Sequence, residues 1–146
     1  MDEKKSSSEE ITRQIGFEMG KKLKGGELII LDGDLGAGKT TFVRGLVLGA
    51  GSESAVSSPS FVIKNEYLSD KLTINHFDFY RLTDPGILAD MLGEAMIDKK
   101  SVSVIEWSDI VSSLLNKDKI VIKFQALSND ERLLKFEYDD SLKYLV

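Results

Sequence analysis

Apolar residues recur at helical spacing in several parts of the chain. The first helix is predicted from about Glu9 to Lys24, because apolar residues return there at every fourth position. The stripe that they form comprises Ile11, Ile15, Met19 and Leu23. Further helices are predicted at about Gly38–Leu48 and Ser108–Leu115. Asp84-Pro85-Gly86 begins a helical or irregular stretch that continues to about Ile97.

Strands are predicted where apolar residues run together or alternate with polar ones. Glu27–Leu31 and Val102–Ile105 are short, mostly apolar runs of the buried type. The other predicted strands are Phe61–Tyr67, Leu72–Phe79, Ile120–Ala126 and Arg132–Tyr138. This order of elements predicts an α/β fold with three layers, in which a mixed central β-sheet is flanked by helices.

Length and composition indicate one intracellular domain over residues 1–146. The net charge of −5 disfavours a protein that binds nucleic acid by itself, since such proteins are usually basic. The chain has no cysteine, which excludes disulfides and thiolate metal sites. Residues 1–8 are charged and serine-rich, and we predict that they are disordered and not a signal peptide. No apolar run is long enough to span a membrane, so a cytoplasmic location is expected.

The segment Gly33–Thr40 matches the P-loop pattern Gly-x4-Gly-Lys-Thr. Glycines let the backbone turn its N–H groups towards a phosphate, and the helix that follows adds unpaired N–H groups and its positive dipole end. Lys39 is expected to reach the β- and γ-phosphates of a nucleotide, and the Thr40 hydroxyl to bind Mg²⁺. The loop follows an apolar strand and precedes a helix, which is the context that such a site requires.

Two carboxylates are candidates for the acidic residue that a P-loop site needs beside its metal ion. Glu106 follows the apolar run Val102–Ile105, as the acid of a Walker B strand does. Asp78 lies in the segment His76–Arg81. Each could instead be an ordinary solvated carboxylate.

Five neighbouring features have a structural as well as a functional interpretation. His76, the only histidine, is more simply a half-buried structural residue. Trp107 is interpreted as packing, although it could shield a metal site. Arg44 and Arg81 could stabilise phosphate charge, but solvation of a helix face is favoured for Arg44. The loop Ser58–Phe61 could sense a γ-phosphate or could be a simple turn.

Guanine specificity is not supported. Asn116-Lys117-Asp118 places its acid one position too early for the Asn-Lys-x-Asp motif of a GTPase. Asp90-Met91-Leu92-Gly93 matches a GTPase switch motif, but it falls in a predicted helix and is interpreted as chance. Adenine is therefore favoured by elimination. Little chain remains for the lid and acceptor segment of a small-molecule kinase, which favours an ATPase with a mechanical or regulatory output.

Four motifs in order closely resemble those of the TsaE (YjeE) family, the bacterial ATPases required for threonylcarbamoyladenosine formation in tRNA. They are Gly33–Phe42, Ser58–Phe61, His76–Arg81 and Glu106-Trp107. The resemblance extends from about Thr12 to Trp107 and weakly to the C-terminus. Two residues depart from the family pattern: Ser60 replaces a threonine and keeps its hydroxyl, and Ser108 stands where a proline is common.

The resemblance implies a Mg²⁺-dependent ATPase that works with the TsaB and TsaD proteins and meets tRNA only through their complex. By the matched motifs, Thr40 and Glu106 hold Mg²⁺, and Asp78 supports water activation or metal binding. Thr12 resembles a family residue near the adenine, and Arg132 a basic residue near the nucleotide. The implied nucleotide-binding residues are Thr12, Gly33, Asp34, Leu35, Gly36, Ala37, Gly38, Lys39, Thr40, Thr41 and Arg132.

Two other functions remain open at this point. In a small-molecule kinase, Asp78 would deprotonate an acceptor hydroxyl. In a nucleotide-dependent binding module, the same loop would bind ATP without significant hydrolysis.

Overall fold

The central sheet of the molecule is mixed, and its inner strands are parallel. The computed structural model describes residues 2–53, 56, 64–80, 84 and 86–146. Within these residues the strands are β1 (Asp2–Ser6), β2 (Leu28–Asp32), β3 (Lys64–Leu68), β4 (Thr73–Asp78), β5 (Ser101–Glu106), β6 (Ile120–Ala126) and β7 (Arg132–Tyr138). Their order across the sheet is β1-β7-β6-β2-β5-β4-β3. The inner strands β6, β2, β5 and β4 are parallel, while β7, β1 and β3 pair antiparallel to their neighbours.

Helices cover both faces of this sheet. They are α1 (Glu9–Lys22), α2 (Lys39–Gly49) and α3 (Ile87–Ile97), with 3-10 helices at Ser108–Leu114 and Asp140–Leu145. Strand β2 shows why two cores form: Ile29 and Leu31 pack on the side of α1 and α2, whereas Leu28 and Ile30 pack on the side of α3. The predicted three-layer α/β fold is therefore confirmed. In the described part of the chain, no helix is long and apolar enough to cross a membrane.

Glycines bring α1 and α2 unusually close together. Gly16 and Gly20 of α1 face α2, and Gly45 and Gly49 of α2 face α1. A Cβ atom at any of these positions would overlap a backbone carbonyl oxygen of the opposite helix. The two backbones can approach this closely only because these four residues have no side chain. The packing also links the phosphate loop before α2 to the helix that carries Thr12.

The predicted apolar stripe of α1 is only partly correct. The buried residues of this helix are Thr12, Gly16, Met19 and Gly20, while Ile11 is 40% exposed. The contact face contains small residues, and a count of apolar side chains does not detect it.

The prediction of disorder for residues 1–8 is wrong for residues 2–8, the part of this segment that the structure describes. Asp2–Ser6 forms the edge strand β1, paired antiparallel with β7 from Asp2–Phe136 to Ser6–Arg132. Its partner lies about 130 positions later in the sequence, so a local reading of composition could not find it. Ser8 then caps α1, and its side chain accepts a hydrogen bond from the N–H of Ile11.

Candidate nucleotide site

The candidate site lies at the carboxyl edge of the parallel strands. The chain leaves β2 at Asp32, β4 at Asp78 and β5 at Glu106. Because parallel strands end at the same edge of a sheet, the phosphate loop after β2 lies beside the last residues of β4 and β5. In open α/β sheets, ligands bind in the crevice outside these strand ends.

The phosphate loop joins β2 to the first turn of α2. Gly38 occupies the N-cap position with φ of 103° and ψ of 9°, a left-handed conformation that residues with a Cβ rarely adopt. Within the described part of the chain no side chain caps this helix, so its first N–H groups are left for a ligand. The loop therefore has the backbone arrangement of an anion site.

Lys39 is held back towards the protein. It is 5% exposed, and its Nζ atom donates a hydrogen bond to the carbonyl oxygen of Gly33 over 2.5 Å. The same Nζ atom is 3.6 Å from Glu106 Oε1 and 4.7 Å from the centroid of the Trp107 ring. The ammonium group therefore lies between the phosphate loop and the acid at the end of β5.

Asp78 and Glu106 are neighbours across the sheet. They are paired in the register of β4 and β5, and they are 8% and 5% exposed. Asp78 Oδ1 accepts a hydrogen bond from the N–H of Tyr80 over 2.8 Å. Burial raises the pKa of the Asp78 carboxyl above its ordinary value; the Tyr80 hydrogen bond opposes that shift, and the nearby Glu106 adds to it. A carboxylate with a raised pKa is a better proton acceptor near neutral pH.

We expect Asp78→Asn to stabilise the nucleotide-free protein at neutral pH. The pKa of Asp78 is raised on folding, so its ionisation lowers the free energy of unfolding as the pH rises through the raised value. Asparagine cannot ionise, and the variant should melt roughly 2–4 °C higher at pH 7. The difference should disappear in acid below the ordinary pKa of an aspartate. Melting curves at both pH values test this, and a stabilisation that is independent of pH would contradict it.

Trp107 turns the chain directly after Glu106. Its φ of 56° and ψ of 54° lie in the left-handed region, which is uncommon for a residue with a large side chain. The indole ring packs against Tyr80 with 4.7 Å between ring centroids, and it also lies beside Lys39 Nζ. Such strained conformations persist where the surroundings hold them, and they cluster at functional sites. The packing interpretation of Trp107 thus agrees with the structure, while shielding of a metal site stays a prediction.

The opposite wall of the cleft comes from α1 and from the turn between β6 and β7. Thr12 is 2% exposed, its hydroxyl lies 2.7 Å from Ser6 Oγ, and its methyl group faces Gly38. The Arg132 guanidinium donates to the carbonyl oxygens of Ser128, Asn129 and Glu131, and Nη2 donates to that of Gly36 over 3.3 Å. Arg132 therefore ties the hairpin turn to the phosphate loop.

One cleft brings together most of the predicted site residues. Ten of them line it: Thr12, Leu35, Gly36, Gly38, Lys39, Thr40, Thr41, Asp78, Glu106 and Arg132. Three others lie in the loop but do not line the cleft: Gly33, Asp34 and Ala37. The sequence analysis missed the cleft residues Glu9, Asn129 and Asp130. The turn between β6 and β7 lies at the carboxyl edge of the sheet because β6 is parallel to β2. The position of this turn can be inferred only when the order of the strands is known.

The donor atoms at the cleft suit Mg²⁺ that arrives with phosphate. Thr40, Asp78 and Glu106 offer hydroxyl and carboxylate oxygens, which are the ligands that this hard cation prefers. Among the described residues, no group of three or more His, Cys, Asp or Glu side chains could hold a metal ion alone. Mg²⁺ is commonly held by one or two carboxylates together with substrate phosphates, so the residues fit this ion.

Two of the sequence predictions fall outside the described residues, namely the Ser58–Phe61 loop and Arg81. Arg44 is exposed on α2, in agreement with the solvation of a helix face. Asp90–Gly93 lies inside α3, so the resemblance of this segment to a GTPase switch is accidental.

Comparison with known proteins identifies the family. The family model described as threonylcarbamoyl adenosine biosynthesis protein TsaE matches residues 6–134. The tRNA threonylcarbamoyladenosine biosynthesis protein TsaE of Rickettsia conorii is 34% identical over 128 residues, which cover 87% of this chain and 73% of that protein. The protein of the same name from Treponema pallidum is 35% identical over 127 residues, covering 87% of this chain and 93% of the relative.

A solved structure agrees with this result. The crystal structure of Bacillus subtilis YdiB superimposes with a TM-score of 0.79 and 27% identity, covering 99% of this chain and 90% of YdiB. Sequence and fold thus lead to the same group of proteins, as the four ordered motifs predict. The chain belongs to the TsaE family of tRNA threonylcarbamoyladenosine biosynthesis.

Proposed function

We propose that this chain is a Mg²⁺-dependent ATPase that acts with the TsaB and TsaD proteins in the cytoplasm to support threonylcarbamoyladenosine modification of tRNA. The proposal rests mainly on one observation: three charged side chains, Lys39, Asp78 and Glu106, lie close together at the start of α2. Lys39 Nζ lies 3.6 Å from Glu106, and Asp78 pairs with Glu106 in the neighbouring strand. Phosphoryl transfer depends mainly on positioned charge, and this arrangement provides it.

The phosphates of ATP would be bound by the loop before α2. The uncapped N–H groups of the helix and the Lys39 ammonium supply the positive charge that a triphosphate requires. Lys39 would exchange its present hydrogen bond to Gly33 for contacts with the β- and γ-phosphates. Thr12, Thr41 and Arg132 line the same cleft and would contact the rest of the nucleotide.

Thr40 and Glu106 would hold Mg²⁺, and Asp78 would orient the attacking water. When bound, the ion neutralises negative charge that develops on the phosphate oxygens. Asp78 is nearly buried, and its pKa is raised by that burial, so its carboxylate is suited to accept a proton from water. The Trp107 ring beside Lys39 would limit the access of bulk water to this end of the cleft.

A role within a complex agrees with the charge of the chain. The net charge is −5, so tRNA would be bound mainly by the partner proteins. Hydrolysis would then serve to reset the complex between modification cycles. In this proposal the chain contacts tRNA only through TsaB and TsaD.

The proposal is tested by pull-down with purified TsaB and TsaD, with and without ATP, followed by a phosphate-release assay. We expect nucleotide-dependent association and phosphate release that the partners increase. Transfer of phosphate to an added small metabolite would instead favour a kinase. Association controlled by nucleotide, without phosphate release even in the full complex, would favour a binding module. No association under any nucleotide condition would count against the proposed partners.

Glu106→Ala is expected to lower Mg²⁺-dependent turnover by about 100-fold, with a much smaller effect on nucleotide affinity. The variant removes an oxygen ligand of the metal ion but leaves the phosphate loop and Lys39 in place. Phosphate release and titration with a fluorescent nucleotide measure the two effects separately. Glu137→Ala is the matched control, because Glu137 forms an exposed pair with Lys123. Wild-type turnover in Glu106→Ala would refute the assignment of Glu106.

A further inference from the structure

His76 contacts the acid at the end of β5 from inside the protein. It is the only histidine of the chain and is 0% exposed. Its Nε2 atom lies 2.6 Å from Glu106 Oε2. We propose that His76 is a positioning residue, which holds one oxygen of Glu106 so that the other faces the metal and phosphate end of the cleft. This inference rests on the proposed function, in which Glu106 is a metal ligand.

The register of the sheet explains the contact. His76 is paired with Val104 in the register of β4 and β5, and Glu106 lies two residues further along β5. Side chains two residues apart in a strand point to the same face, so His76, Asp78 and Glu106 share the face that carries α2. His76 lies two residues before Asp78 in β4, so it is further from the end of the strand. It therefore reaches Glu106 from the core, while Asp78 reaches the cleft.

The surroundings of the ring indicate which nitrogen carries the proton. Among the described residues, His76 Nδ1 is buried and has no hydrogen-bond partner. If Nε2 carries the proton, it donates to Glu106, and Nδ1 is left as an unpaired acceptor. If Nδ1 carried it, a buried N–H group would lack a partner and Nε2 would face a carboxylate oxygen without a hydrogen between them. The first arrangement costs less, so His76 is assigned as an Nε2–H donor.

Because of this hydrogen bond, the two carboxylate oxygens of Glu106 have different contacts. Oε2 is bound to His76, whereas Oε1 lies 3.6 Å from Lys39 Nζ. Without His76, the carboxylate could rotate about its last bond and would lose a fixed direction. A partner behind a metal ligand fixes the orientation of that ligand, and its removal typically costs about 10–100-fold in metal affinity or activity.

The test compares two substitutions that differ in the donor. His76→Leu removes the N–H group and fills the site in the core with an apolar side chain. His76→Gln can instead place an amide N–H near the position of Nε2. The readout is the ratio of the dissociation constants of a fluorescent ADP analogue without and with Mg²⁺. In His76→Leu we expect this Mg²⁺-dependent gain in affinity to fall about 10–100-fold, while affinity without Mg²⁺ changes less than about threefold. His76→Gln should retain most of the gain.

Ile74→Val is the control for packing, because Ile74 is 1% exposed and lies on the same face of β4, two residues before His76. It should lower the melting temperature without changing the effect of Mg²⁺. An unchanged Mg²⁺ effect in His76→Leu would overturn the proposal. An equal loss in both His76 variants would also overturn it, because the shape of the ring and not its donor would then matter.

A measurement on the wild-type protein does not depend on how well the variants fold. Since the chain has one histidine, the ¹⁵N NMR signals of its ring are unambiguous. We expect the spectrum of the Nε2–H form, and a signal without a proton on Nε2 would overturn the proposal. The two proposals fail in different ways: absence of a Mg²⁺ effect in the wild type would refute the assigned metal role of Glu106, whatever the His76 spectrum shows.

Discussion

We expect Gly45→Ala to lower the free energy of unfolding by about 3 kcal/mol and the melting temperature by roughly 6–12 °C. The new Cβ atom would overlap the carbonyl oxygen of Arg13 and lie 2.9 Å from the backbone nitrogen of Phe17. Both atoms belong to the backbone of α1, so they cannot turn aside as a side chain could. The helices would have to separate, and a cavity would open in the core beneath them.

Gly93→Ala is the matched control for this prediction. Gly93 lies inside α3, and a Cβ atom there meets no atom of the described residues within 4 Å. Alanine has a better helix propensity than glycine, so this variant should raise the free energy of unfolding by about 0.5–1 kcal/mol. Urea unfolding followed by circular dichroism measures both variants. Similar effects of the two substitutions would mean that the close approach of α1 and α2 does not contribute to stability.

We expect Lys39→Ala to weaken ATP binding at least about 100-fold, which corresponds to about 2.7 kcal/mol. The variant removes the charged donor expected to contact the β- and γ-phosphates, and charge-assisted hydrogen bonds contribute about 1.5–3 kcal/mol each. It also leaves the nearly buried Glu106 carboxylate without its neighbouring positive charge. The nucleotide-free variant should therefore melt below the wild type.

Melting curves at increasing ATP concentration separate the two effects of Lys39→Ala. The wild type should gain stability with the logarithm of ATP concentration, whereas the variant should gain almost none. Lys123→Ala removes an exposed lysine that pairs with Glu137, and it should respond to ATP as the wild type does. A normal ATP response in Lys39→Ala would contradict the role of the loop in phosphate binding.

The parts of the molecule that the sequence predicted well are those whose signals lie in consecutive residues. The glycine loop with Lys39 and Thr40 is one continuous segment, and the structure places it between a strand and a helix. Glu106 directly follows an apolar run, so its position at a strand end could be inferred. Asp78 lies near the end of the predicted strand Leu72–Phe79, and the two acids prove to be paired across the sheet.

What was missed depends on contacts between distant residues. His76 and Glu106 are 30 positions apart, and only the pairing of β4 with β5 brings them together. Arg132 contacts Gly36 across 96 positions because its strand begins beside the phosphate loop. In α1, glycines lie against α2, and a search for apolar side chains does not detect them. Each of these features depends on which elements become neighbours in the folded protein.

The edge strand β1 has a practical consequence for handling the protein. A truncated chain that started at α1 would leave β7 as an open edge with unpaired backbone groups, which favours aggregation. It would also lack Ser6, whose hydroxyl partners that of Thr12 at the nucleotide cleft. An affinity tag joined before Asp2 is a safer choice, because Asp2 pairs with Phe136 while Ser6, at the other end of the strand, pairs with Arg132 near the cleft. The short charged segment that looks dispensable is thus the one to keep, with any tag attached at its amino end.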